Sequence, residues 1–142
     1  MTRKSAINPP DHTKPIGKYS PGILAELSAG DRLLFVSGQV SSDAAGNVLG
    51  AGDARQQAEI VFSKIERILS IAGGSMDDIV NLTIYLTDIS LFNEVSSVRN
   101  RVLPDLAPAS TLVAVSSLAV KEHLVEISAI AVLSQSRVPQ CL

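Results

Sequence analysis

From residue 79 to residue 88 the chain alternates with period two. Val80, Leu82, Ile84 and Leu86 fall on one side, and Asn81, Thr83, Tyr85 and Thr87 on the other. This is the pattern of a strand with one face buried. Upstream the period changes. Ala58, Val61, Phe62, Ile65, Ile68, Leu69 and Ala72 recur at three and four residues, the spacing of one helix face. Asp53 stands at the N-cap position with Gln56 in capping-box spacing, and Gly73-Gly74 supplies the stop. Residues 22–28 and 31–40 read as two strands joined by a turn at Ala29-Gly30, and 41–52 as a Gly/Asp/Asn-rich loop. Ser90 is predicted to cap a second helix over 91–103, ended by Pro104. Strands over about 110–118 and 124–134 close the chain. The predicted order is ββαβαββ, an α+β fold in one domain spanning 1–142, with polar residues 1–15 as a flexible arm.

Two helices cover only one face of such a sheet. In the last strand Val125, Ile127, Ala129, Ala131 and Leu133 suit the helix side, yet the opposite face carries Ile130 and Val132 beside Glu126 and Ser128. Thr111, Val113 and Val115 against Leu112 and Ala114 give the same two-sided impression. An apolar second face must be buried against something, and another copy of the chain is the simplest cover. The sequence therefore predicts an obligate homo-oligomer.

Composition narrows the function classes. A formal net charge of -2 argues against broad binding to nucleic acid or to anionic membranes. Hydrophobic residues make up 46% of the chain, enough for a core, but no apolar run approaches the roughly 20 residues of a membrane span. The one cysteine, Cys141, permits no internal disulfide, and the N-terminal residues lack the apolar stretch of a secretion signal. These features predict a cytoplasmic protein.

A few residues are candidates for chemistry. Glu126 lies inside the apolar run LVEISAIAVL, where a carboxylate is costly unless bonded or functional. It reads either as a strand-end carboxylate reaching solvent or a subunit partner, or as a general acid/base. In RLLFVSGQV, Gly38 marks either a β-bulge or a place where a ligand comes close to the backbone. Ser37 lacks the context of a hydrolase nucleophile, though its hydroxyl can orient a ligand. Tyr19 sits in IGKYSPG, where packing is the default explanation. His12 and His123 stand apart and read as exposed, so no metal site is indicated. Gly73-Gly74-Ser75 lacks the lysine of a phosphate loop and reads as a helix stop followed by a cap.

Taken together, IGKYSPG, LLFVSGQV, ILSIAGGSMDDIVNLTIYLTDI and VEISAIAV, in this order, resemble the Rid family, also called YjgF or endoribonuclease L-PSP. The resemblance runs from Ile16 to Val132. It implies a chorismate-mutase-like fold, a homotrimer with sheets facing a central barrel, and ligand clefts between subunits. By the same resemblance Ser37 and Gly38 line the cleft, Tyr19 matches the cleft tyrosine, and Glu126 matches the glutamate that positions or activates water. The family activity is hydrolysis of reactive enamines and imines to 2-oxo acids and ammonia, which needs no cofactor.

One departure stands out. The deaminase branch carries P-A-R-S at the start of the fifth strand, and its arginine holds the substrate carboxylate; this chain reads Pro108, Ala109, Ser110, Thr111. Ser110 and Thr111 then become substrate-contact candidates, and Arg99 on the second helix becomes the candidate replacement cation. Helix geometry alone does not separate Arg99 from Arg101, and the family position selects Arg99. The implied function is a hydrolytic deaminase of a different imine or enamine. The alternative is a non-catalytic trimer that binds a small metabolite or partner. Ribonuclease activity, suggested by the older family name, suits the acidic composition least.

Overall fold

The helical face read from Ala58 to Ala72 is the face that packs. In the computed structural model, which describes residues 3–135, the elements run β1 (Arg3–Ile7), β2 (Gly22–Glu26), β3 (Arg32–Gln39), α1 (Ala54–Ile71), β4 (Ile79–Leu86), α2 (Phe92–Val102), β5 (Ala109–Ala114) and β6 (Val125–Leu133). The Asp53 side chain caps α1 by accepting from the Gln56 N–H. At the other end, Gly73 adopts φ 88° while its N–H donates to Ser70 O and the Gly74 N–H to Leu69 O. This is a Schellman stop, which uses the left-handed backbone that glycine adopts without penalty. Ser75 and Asp78 then form a capping box on a short 3-10 turn, Met76–Asp78.

A four-stranded mixed sheet in the order β3-β6-β4-β5 carries both helices on one side, giving an α+β fold. Strands β3, β6 and β4 are antiparallel neighbours, while β5 runs parallel to β4 as an edge strand. Val61, Ile65 and Leu69 of α1 share one core with Ile84 and Leu86 of β4, Val98 of α2 and Ile127 of β6. Full burial of one aliphatic side chain is worth about 1.5–3 kcal/mol, so this layer dominates the stability of the fold.

Several expectations need correction. Arg3–Ile7 is a strand, not part of an arm: it pairs antiparallel with β2, Ile7 opposite Gly22. Its side chains alternate between exposed and half-buried, so backbone bonds rather than an apolar pattern define it. Lys4 Nζ also donates to Ile79 O at 3.1 Å. Consequently β2 and β3 flank the expected turn at Ala29-Gly30 but belong to different sheets. In β4 the pairing shifts register between Ile79 and Asn81, so Ile79 is buried and Val80 only half-buried, out of the simple alternation. Asp88, not Ser90, supplies the cap ahead of α2: its side chain accepts from the Ser90 N–H and opens the 3-10 turn Ile89–Leu91. The fifth strand stops at Ala114, and the chain loops from 115 to 124. Among the described residues no helix is long and apolar enough to cross a membrane. Cys141 lies outside the described residues.

Candidate functional site

The side-chain alternation of β6 fixes where Glu126 points. Val125 and Ile127 are fully buried under the helices, so Glu126 projects from the opposite, helix-free face. Tyr85 is its cross-strand partner on β4. On the next strand the β3–β6 pairing shifts register between Val36 and Gln39, the bulge anticipated at Gly38. A Cβ built on Gly38 would overlap the Glu126 carboxylate at Oε1. The bulge is the reading seen at this glycine, and the group that comes close to its backbone is a side chain of the same chain, Glu126. Glu126, Gly38, Tyr85, Ser128, Ser117 and Leu118 line a cavity of about 270 Å³. Ser37 is exposed beside it.

A second cavity, about 170 Å³, lies where α2 meets the edge strand β5, lined by Ile16, Tyr19, Phe92, Arg99, Ser110 and Leu112. Its central group is Arg99, 2% exposed despite its charge. The guanidinium carbon sits 5.8 Å from the centre of the Tyr19 ring, a cation–π distance. Arg99 Nε donates to Asn100 Oδ1 at 3.4 Å, but Nη2 is buried without a hydrogen-bond partner, as is Ser110 Oγ. Among the described residues no carboxylate forms an ion pair with Arg99, whereas Arg101 is exposed and paired with Glu59 at 3.0 Å. The two arginines thus differ in their surroundings, Arg99 lining this cavity and Arg101 pairing with Glu59 near the surface. Burial pushes the Arg99 pKa down from its ordinary value, and Tyr19 opposes that shift; a guanidinium stays cationic throughout. A buried donor left unpaired costs about 1–3 kcal/mol, more when charged. That cost is relieved if an anion enters the cavity.

The segment before β2 is tied down around this cavity. Lys18 Nζ donates to Leu103 O at 2.7 Å and pairs with Asp105 at 3.4 Å, and Ser20 Oγ donates to Ala107 O at 2.6 Å. Tyr19 sits between these two anchors, which gives the aromatic residue in IGKYSPG a fixed place beside Arg99.

The candidates thus divide into two groups. Tyr19, Arg99 and Ser110 come together; Glu126 and Gly38 come together, with Ser37 adjacent. Ser110 lies opposite Leu82, whose side chain is buried under the helices, whereas Thr111 is exposed opposite Thr83. Neighbours on a strand point to opposite faces, so Ser110 and Thr111 do not share a cavity within one chain. Within one chain, Glu126 and Arg99 also stand on opposite sides of the sheet.

His12 is exposed, but His123 is buried, contrary to expectation. The reason is Gln57, a fully buried polar residue on the apolar face of α1. Its amide donates to Gly50 O and Glu122 O and accepts from the Leu124 N–H, drawing the 115–124 loop onto the helix. The periodicity gave no sign of Gln57, Tyr85 or Phe92 as site residues. Gly17 was visible within IGKYSPG but carried no assigned role; a Cβ there would overlap Arg99 Nη2. Among the described residues no group of three or more His, Cys, Asp or Glu side chains is placed to hold a metal.

Residues 10–133 match the sequence profile described as Endoribonuclease L-PSP. A RutC family protein of Pyrococcus horikoshii is 35% identical over 128 residues, 90% of this chain and 97% of that protein. One from Sulfurisphaera tokodaii is 35% identical over 117 residues, covering 82% and 89% of the two chains. Among solved structures, YyfB of the Rid protein family from Yersinia pestis superposes with a TM-score of 0.82 at 25% identity, covering 92% of this chain and 98% of that one. YyfA from the same organism gives 0.65 at 32% identity, with 91% and 98% covered.

Proposed function

Because the chain belongs to the endoribonuclease L-PSP, or Rid, family, we propose that it is a hydrolytic deaminase of a small 2-imino or 2-enamino acid, working as a homotrimer in the cytosol. The observation that carries this reading is Arg99: a buried cation with an unpaired Nη2, facing a cavity beside Tyr19 and the equally unpaired Ser110 hydroxyl. A carboxylate of the ligand is the group that satisfies it, taking the place of the arginine the deaminase branch carries at position 110. The recognition is preserved from another direction, with a guanidinium on α2 rather than on β5.

Glu126 supplies the second function. An imine carbon is already electrophilic, so the site must place a water and accept its proton. Glu126 takes that proton as water adds to the C=N carbon. Starting from the protonated imine, it passes that proton to the nitrogen of the adduct and accepts the proton of the new hydroxyl as the C–N bond breaks, so that ammonia leaves and a 2-oxo acid remains. An enamine enters the same route after protonation at its β-carbon. Since Glu126 and Arg99 occupy opposite sides of the sheet within one chain, the reading requires the Glu126 cavity of one copy to meet the Arg99 cavity of the next. The exposed apolar residues on the helix-free face support such an assembly: Leu33 is 54% and Phe35 69% exposed.

Ammonia release from enzymatically generated 2-imino acids tests the proposal, with 2-aminoacrylate expected to turn over much more slowly than in relatives that carry the arginine. Glu126→Gln should fold normally and lose turnover by about two orders of magnitude or more, the usual worth of a general base. Arg99→Ala should raise KM for the carboxylated substrate so far that no turnover is measurable at the concentration that saturates the parent. The neutral serine at position 110 favours a second reading, a non-catalytic trimer that binds a small acid; binding of 2-oxobutyrate unaccompanied by any ammonia release would establish that one instead.

A further inference from the structure

Arg99 is buried, yet its guanidinium is not left to find its own position. The Asn100 side-chain oxygen accepts from Arg99 Nε at 3.4 Å and from the Lys18 backbone N–H at 3.0 Å. A single amide oxygen thus joins the cation of α2 to the segment that carries Tyr19. Gly17 completes the cradle, because only a residue without Cβ leaves room for Nη2 there. Asn100 itself is exposed and lies in the last turn of α2, a helical position where asparagine has no propensity advantage.

The chemistry of this acceptor matters as much as its place. Aspartate has the same shape, presents an oxygen to the same two donors, and would bond both more strongly, since charged hydrogen bonds are about twice as strong as neutral ones. It would also neutralise Arg99. Asparagine holds the group and leaves its charge uncompensated.

We infer that Asn100 is a positioning and specificity residue: it fixes the Arg99 guanidinium against the Tyr19 segment without supplying a counter-charge, so that the ligand's own anionic group must supply it. The inference rests on the carboxylate-binding role proposed for Arg99. It deepens that role by stating what keeps the site open to an anion and closed to neutral analogues.

Calorimetry with 2-oxobutyrate, together with NMR measurement of Arg99 Nε–H exchange, tests it on the full chain and on Asn100→Asp and Asn100→Ala. In Asn100→Asp, Nε–H exchange should stay as slow as in the parent and the thermal midpoint should hold or rise. Its affinity for 2-oxobutyrate should nevertheless fall about tenfold or more, the loss of one charged partner. In Asn100→Ala the Nε–H should exchange several-fold faster and the affinity should also fall. Parent-like affinity in Asn100→Asp would make Asn100 a structural acceptor only and overturn the inference, as would unchanged exchange in Asn100→Ala. A parent protein that binds no 2-oxobutyrate refutes the carboxylate reading of Arg99, and with it the specificity half of the inference. Exchange in Asn100→Ala still decides the positioning half.

Discussion

At Gly38 the missing side chain is occupied by another residue's carboxylate. A methyl group there would meet Glu126 at Oε1, the movable end of its side chain, and the backbone of Gly38 is not in the left-handed region. Alanine should therefore cost little stability while displacing the carboxylate proposed to take a proton from water. Gly38→Ala should keep its thermal midpoint within a few degrees of the parent, yet lose ammonia release nearly as completely as Glu126→Gln; parallel melting curves and turnover assays check both halves. At this scale the sequence was legible where a residue type conflicted with its surroundings. Glu126 inside an apolar run and glycine inside a strand were both conspicuous for that reason. Arg99 was harder to read, because nothing in its local pattern distinguishes a guanidinium folded under the Tyr19 segment from one in water. Gly17 and Asn100 were not legible as site residues, since their partners lie 82 residues away along the chain, as in the Lys18–Asn100 bond.

Elements defined by a period were read well, and those defined by hydrogen bonds alone were missed. The α1 face, its cap at Asp53 and its stop at Gly73 follow directly from residue spacing. The strand β1 has no apolar stripe and exists through its ladder to β2, so no pattern announces it. The 115–124 loop shows the same blindness in its consequences. It brings Ser117 and Leu118 to the Glu126 cavity, and one buried glutamine on α1 holds it through Glu122 and Leu124. Gln57→Ala removes those bonds and leaves the carbonyls of Gly50 and Glu122 to find other donors. It should destabilise the chain by about 1–3 kcal/mol, measurable by urea unfolding, and hydrogen exchange should rise at the Leu124 N–H ahead of the rest of β6.

For the whole molecule, the two-sided apolar sheet was legible early, and the structure leaves Phe35 and Leu33 outward on the face opposite the helices. Light scattering should give three times the 15.0 kDa chain mass, and Phe35→Lys should shift the population toward monomer, because a charge in a buried interface is strongly disfavoured. The placement of Glu126 and Arg99 on opposite sides of one sheet has a genetic consequence. If each reaction centre draws its base from one copy and its cation from the neighbour, two inactive alleles can repair each other. Glu126→Gln and Arg99→Ala chains, unfolded together and refolded as a mixture, should recover activity that neither has alone. In a closed ring of equally mixed chains, roughly a quarter of the clefts receive both intact groups, so about that fraction of parental turnover should return. A centre built within a single chain would show no recovery at any mixing ratio.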